Sequence, residues 1–189
     1  MKIYLIRHGQ KESSLKTYLS NKISLTDLGK KQAVAFAEFA KNLKIQKMYV
    51  SPYLRTKETA KEIEKVLNLK AIKTDKIKEM HLSNYINFMI ENLLDKSEKN
   101  FEKELISNLK TLAEEDKNIL LVTHSGYIRM LKAILTKTNR NVLRKFKLLF
   151  SPMHNLSLTA IEMKNGRLNI VDFDNVEYLH DDLKNRFPY

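Results

Sequence analysis

The sequence predicts an α/β protein, a three-layer α/β/α sandwich around a mostly parallel sheet. Three observations lead there. Short apolar runs alternate with stretches whose apolar residues recur at helical spacing. One run, Ile119–Val122, is apolar throughout, as a parallel strand covered on both faces should be. Two runs end in a histidine closely followed by glycine, Arg7-His8-Gly9 and Thr123-His124-Ser125-Gly126. Open α/β sheets bind ligands at such strand outlets.

Composition bounds the rest. At 189 residues the chain fits one domain, residues 1–189, with length enough for a real core. Hydrophobic content of 43% and charged content of 30% are those of a soluble globular protein. No apolar run approaches the ~18 residues of a membrane span, so no membrane partner is expected. The absence of Cys excludes disulfides and thiolate metal sites. The N-terminus runs directly into a strand with no signal-peptide pattern, so a cytoplasmic location is the default. A net charge of +12 favours anionic ligands. Its densest cluster, Lys137, Arg140, Arg144, Lys145 and Lys147, contains Phe146 but no repeated basic–aromatic interleaving. Nucleic acid is therefore not the expected partner.

The elements follow in order. Lys2–Arg7 reads as the first strand and Lys11–Ser24 as a loop over its end. Thr26 is a candidate N-cap for a helix whose core face is Ala33, Phe36, Ala37, Ala40 and Leu43. Residues 47–51 form the second strand, ended by Ser51-Pro52, and the next helix runs to about Leu67. Ala71–Thr74 is a weak third strand. Ser83–Leu94, with Ile86, Met89, Ile90 and Leu93 as its apolar face, and Phe101–Glu114, with Leu105, Leu109 and Leu112, read as a helical cover. Residues 118–123 are the clearest strand, followed by an amphipathic helix over Tyr127–Leu135. A strand over 156–163 and another over 168–173 pair through Asn165-Gly166, a strong hairpin signal. The tail from Asp174 closes an edge.

The residues at the strand outlets carry the chemistry. His8, beside a fixed cation and a glycine turn, suits a nucleophile that attacks an anion. The plain alternative is a surface His after an edge strand. Arg55 lies near a helix N-terminus past the second strand, where backbone N–H groups and a guanidinium converge on an oxyanion. Elsewhere such an Arg is an ordinary salt-bridge former. Glu79 follows the third strand, and a carboxyl beside a cationic pocket can protonate a leaving oxygen. Two imidazoles at equivalent outlets are hard to explain by core packing.

Four segments in order make the chain resemble the histidine phosphatase superfamily, the phosphoglycerate-mutase-like group. They are Leu5-Ile6-Arg7-His8-Gly9-Gln10, then Leu25-Thr26 through Gly29 to Gln32-Ala33, then Ser51-Pro52-Tyr53-Leu54-Arg55 through Thr59-Ala60, and Val122-Thr123-His124-Ser125-Gly126. The resemblance implies that His8 becomes phosphohistidine and that Arg7, Arg55 and His124 hold the transferred phosphoryl group. It implies Glu79 as proton donor, with His81 two residues away as the alternative. Gln10, Ser125, Gly126 and Asn155 fall at positions near the phosphate pocket. Neither metal nor other cofactor is implied, because guanidiniums neutralise the charge.

The chain also departs from that pattern. Lys11 and Ser14 stand where many members have Thr and Asn. Asn21-Lys22-Ile23-Ser24 replaces a Gly-Asp loop, and Tyr178-Leu179 stands where a His-Leu pair is common. These departures leave the phosphoryl pocket intact, and the substrate is left open. A metal-independent phosphomonoesterase acting on a phosphorylated metabolite is the first expectation. A cofactor-dependent phosphoglycerate mutase and a phosphoprotein or phosphohistidine phosphatase are the alternatives. The expected partner is a small phosphorylated molecule, with the chain a monomer or homodimer.

Overall fold

The computed structural model describes residues 1–12, 20–93, 100–113, 117–136, 147 and 149–187. Strands β1 (Lys2–Arg7), β2 (Lys47–Val50), β3 (Ala71–Lys73), β4 (Ile119–Thr123), β5 (Met153–His154), β6 (Leu158–Lys164), β7 (Arg167–Asn175) and β8 (Arg186–Phe187) alternate with helices α1 (Asp27–Ala40), α2 (Leu54–Leu67), α3 (Leu82–Leu93), α4 (Asn100–Leu112) and α5 (Ser125–Leu135). Six strands form one sheet in the order β3-β2-β4-β1-β6-β7, and β5 pairs with β8 separately. The four strands β3, β2, β4 and β1 are parallel. The strand expected over 156–163 starts at Leu158 and runs antiparallel to β1. Leu156 just before it has φ +52, so the extended run cannot begin there.

The apolar runs are explained by two covered faces. Tyr4, Ile6, Leu120 and Val122 pack with Phe36, Ala37, Ala40 and Ile63 of α1 and α2. Ile3, Leu5, Ile119 and Leu121 point the other way, to Tyr85, Phe88, Leu105, Leu109 and residues of α5. Alternate residues of a strand face opposite sides, so a strand covered twice is apolar at every position.

Local signals hold at several points. The Thr26 hydroxyl accepts from Gly29 N–H at 3.0 Å, capping α1. Asn165 and Gly166 both have positive φ and join paired Lys164 and Arg167 in a two-residue turn. The face of α3 differs from expectation. Ile86 and Ile90 are 46% and 43% exposed, whereas Tyr85 and Phe88 are buried. The aromatic rings present more apolar surface to the core than the isoleucines do, and they set the roll of the helix. The tail is also more ordered in role than its composition suggests: Leu179 enters the core and β8 covers the Met153–His154 segment. Residues 13–19 of the expected loop, and Lys137, Arg140, Arg144 and Lys145 of the basic cluster, lie outside the described residues. Among the described residues no helix is long and apolar enough to cross a membrane.

Backbone proximity ties the first outlet to α1. A Cβ on Gly9 would stand 2.5 Å from the Gly29 carbonyl oxygen, and a Cβ on Gly29 would stand 2.2 Å from that of Gln10. Gly29→Ala should therefore destabilise the fold by about 1–3 kcal/mol, the usual cost of overpacking. Denaturant unfolding measures it, with a change under half that range counting against this close approach.

Candidate active site

Register brings the outlets together. β1 and β4 pair as Arg7↔Thr123, so His8 and His124 leave adjacent strands at the same level. Their ring centroids are 5.4 Å apart, edge to face. β2 pairs with β4 as Val50↔Val122, which brings Ser51 alongside. The Ser51 hydroxyl lies 2.8 Å from His124 Nε2. Arg55, in the first turn of α2, reaches over the same end of the sheet.

His8 is held by its own backbone and its neighbours. Its N–H donates to the Thr123 carbonyl at 3.0 Å, and its carbonyl accepts from Asn155 Nδ2 at 3.1 Å. The ring's Nδ1 lies 2.7 Å from the Gly9 carbonyl, which can only accept. Nδ1 therefore carries the proton and Nε2 the lone pair. Arg55 Nε donates to that Nε2 at 3.1 Å. Burial, followed by the charges of Arg55, His124 and Arg7, pushes the His8 pKa well below its ordinary value. His124 is depressed by burial and then by Arg55, Arg7 and Lys11. Both rings are neutral at neutral pH.

Cations surround them. Arg7 donates through Nη1 to the Met153 carbonyl, and burial brings its pKa down to about 10, within the charged range at pH 7. The Arg55 guanidinium lies over the Tyr53 ring at 4.7 Å, and that ring meets His124 at 5.0 Å. Lys11 is half-buried at the rim. Its pKa is lowered by burial and then by Arg55 and Arg7, with Glu79 acting in the opposite sense.

Glu79 enters from the other side. Its Oε1 accepts from the N–H groups of Met80 at 3.1 Å and Gly126 at 3.2 Å, the latter at the start of α5. Its Oε2 stands 3.7 Å from His124 Nδ1 and 3.9 Å from Arg55 Nη2. His124 Nδ1 is buried with no hydrogen-bond partner among the described residues. A Cβ on Gly126 would stand 2.4 Å from Glu79 Oε1 and 2.5 Å from the Tyr85 hydroxyl. Gly126 thus makes room for Glu79.

The expected residues sort accordingly. Arg7, His8, Arg55, Glu79 and His124 converge. His81, the alternative donor, is exposed, and its N–H bonds Asn84 Oδ1 at 2.8 Å, within the first turn of α3. Gln10 turns its side chain to the Thr26 hydroxyl at 2.7 Å and so fastens the loop to α1. Gly126 gives its N–H to Glu79. Asn155 holds the His8 backbone. Ser125 is buried as the first residue of α5. Ser51, Tyr53 and Thr59 belong to a matching sequence segment, but sequence reading gives them no role there; the Thr59 hydroxyl accepts from Gly9 N–H at 3.1 Å. Among the described residues no cluster of three metal-ligating side chains occurs.

The sequence model of the histidine phosphatase superfamily (branch 1) matches residues 3–106 and 95–176. The chain belongs to the histidine phosphatase superfamily. It is 26% identical over 195 residues, covering 90% of this chain and 93% of the other, to a Hydrogenobacter thermophilus protein provisionally named phosphoserine phosphatase 2. Its fold is that of the Entamoeba histolytica phosphoserine phosphatase solved with 3-phosphoglyceric acid. That match has TM-score 0.69 and 23% identity, and it covers 95% of this chain and 99% of that one. A mycobacterial glucosyl-3-phosphoglycerate phosphatase matches with TM-score 0.70 and 20% identity, covering 93% and 99%. This chain is a phosphoric monoester hydrolase of the histidine phosphatase type.

The depressed histidines make a pH prediction. Protonating His8 removes its lone pair, so activity falls as pH drops through its folded pKa, which lies below the ordinary 6.5. The kcat/KM profile for an aryl phosphate, corrected for ionisation of the substrate, should hold its neutral-pH value through pH 6.5. A half-loss at pH 6.5 or above after that correction would contradict the burial argument.

Proposed function

We propose that this chain hydrolyses small phosphomonoesters that carry a carboxylate, through a phosphohistidine on His8. The observation that carries the reading is the neutral His8 ring, its Nδ1–H tied to the Gly9 carbonyl and its Nε2 lone pair among Arg55 and His124. In this reading Nε2 attacks phosphorus in line as the ester P–O bond breaks. Arg7, Arg55 and His124 Nδ1–H hold the three equatorial oxygens, where the charge of the transition state spreads. The Ser51 hydroxyl donates to His124 Nε2 and keeps the proton on Nδ1. Glu79 Oε2 delivers a proton to the leaving oxygen. It then takes one from the water that breaks the His8–phosphorus bond.

The carboxylate follows from charge. Arg7, Arg55 and Lys11 all face Glu79, and Arg7 faces Asp174 as well. A phosphoryl dianion balances two cations, and Lys11 at the rim suits a further anion. Relatives named for phosphoserine and glucosyl-3-phosphoglycerate, both carboxylated phosphoesters, support the same substrate class.

The test is phosphate release across a panel of phosphorylated metabolites, with 2-phosphoglycerate also followed when 3-phosphoglycerate and its bisphosphate are supplied. Carboxylated esters should be turned over fastest, and isomerisation should lag behind phosphate release. Isomerisation outrunning hydrolysis of every ester would make the chain a mutase. Lys11→Met should raise KM for a carboxylated ester about tenfold or more, the loss of one charged hydrogen bond, and leave nitrophenyl phosphate nearly unchanged. Equal effects on both would remove Lys11 from recognition. Glu79→Gln should slow alkyl phosphates by ~10²-fold or more and nitrophenyl phosphate much less, since its leaving group needs little protonation. Equal losses would remove Glu79 as the acid.

A further inference from the structure

One feature of the edge hairpin reaches the active site through a single peptide unit. Between the pairs Leu158↔Asn175 and Ala160↔Asp172, Phe173 and Asp174 of β7 stand opposite Thr159 alone. This is a β-bulge, and such bulges re-aim a side chain. Asp174 has φ +55, a left-handed conformation that Asp tolerates better than most residues. Its Oδ1 accepts from the His154 backbone N–H at 3.0 Å, and its Oδ2 lies 3.0 Å from His154 Nδ1. The carbonyl of that same peptide, on Met153, accepts from Arg7. The next residue, Asn155, donates to the His8 carbonyl at 3.1 Å.

We propose that Asp174 is the positioning residue for Arg7 and His8, acting through the Met153–Asn155 segment. The peptide lies between a guanidinium and a carboxylate, with its carbonyl on the first and its N–H on the second. Each hydrogen bond polarises the amide in the sense that strengthens the other. His154, part-buried against Asp174, fixes the carboxylate in that orientation, with side-chain exposures of 23% for His154 and 10% for Asp174. The charge also reaches Arg7. Burial together with Arg129 and Arg55 disfavours its charged form, and Glu79 and Asp174 favour it. The inference rests on the phosphoryl-holding role given to Arg7 above.

Asp174→Asn keeps the size of the side chain and its tolerance of the left-handed backbone. It should lower kcat/KM for phosphomonoesters at least tenfold, within the range known for small misplacements of a reacting group. It should also move the basic limb of the kcat/KM profile to lower pH, because one of the two carboxylates that keep Arg7 charged is gone. His154→Gln, whose amide can still donate to Asp174, should stay within a few-fold of wild type, whereas His154→Ala should approach Asp174→Asn. Asp182→Asn, in the exposed pair with His180, should change nothing. Affinity for inorganic phosphate gives a readout independent of turnover. Weakened phosphate binding in Asp174→Asn, with a wild type that turns over no ester, would count against the proposed function and leave the clamp standing. Wild-type phosphate affinity and an unmoved basic limb in Asp174→Asn would overturn the clamp. Equal losses in His154→Gln and His154→Ala, with that limb unmoved, would do the same.

Discussion

The hydrogen bond between His8 Nδ1 and the Gly9 carbonyl is the constraint on which the site depends. A carbonyl has no proton to give, so the ring must donate there and keep its other nitrogen bare. That arrangement works only if the ring stays neutral, and neutrality comes from burial among Arg55, His124 and Arg7. Burial in turn requires strand ends packed closely enough to exclude water. Gly9 against Gly29 and the parallel register of β1 with β4 supply that. One bond at the outlet of a strand thus links backbone packing to the protonation state of a side chain.

The two sides of the site are held differently. On the His124 side the contacts are local to strand ends and helix starts: Ser51 on Nε2, Tyr53 against the ring, and Glu79 on the Gly126 N–H at the start of α5. The last placement sets an anion at the positive end of a helix, which is favourable in itself. On the Arg7 side the contacts come from far along the chain, through Met153, Asn155 and Asp174. The antiparallel pair β6 and β7 carries that support. The edge of the sheet is therefore tied to Arg7, the cation that precedes the nucleophile in the chain.

Much of this was legible in the sequence where local pattern and burial agree. The apolar run at Ile119–Val122, the Thr26 cap and the Asn165-Gly166 turn each express one local rule, and each is present in the structure. The convergence of Arg7, His8, Arg55, Glu79 and His124 was legible because each lies at the end of a strand or in the segment that follows one. The roll of α3 was not legible, since Ile86 and Ile90 make as good a helical stripe as Tyr85 and Phe88. The choice between them is made by what the sheet presents. That Gly126 leaves room for Glu79 and donates to it was not legible either. The role of Asp174 depends on a bulge and on a peptide flipped toward it from twenty residues earlier, and no local pattern encodes either.

The site's central claim is that His8 attacks through Nε2 because Nδ1 is committed to a backbone carbonyl. The isomer of phosphohistidine formed on the enzyme reads this directly. Protein quenched during turnover of a phosphomonoester and examined by phosphorus and proton NMR or by peptide mass spectrometry should carry phosphate on His8 at Nε2, with none in His8→Ala. Phosphate on His8 Nδ1, or retained on the protein in His8→Ala, would contradict the account.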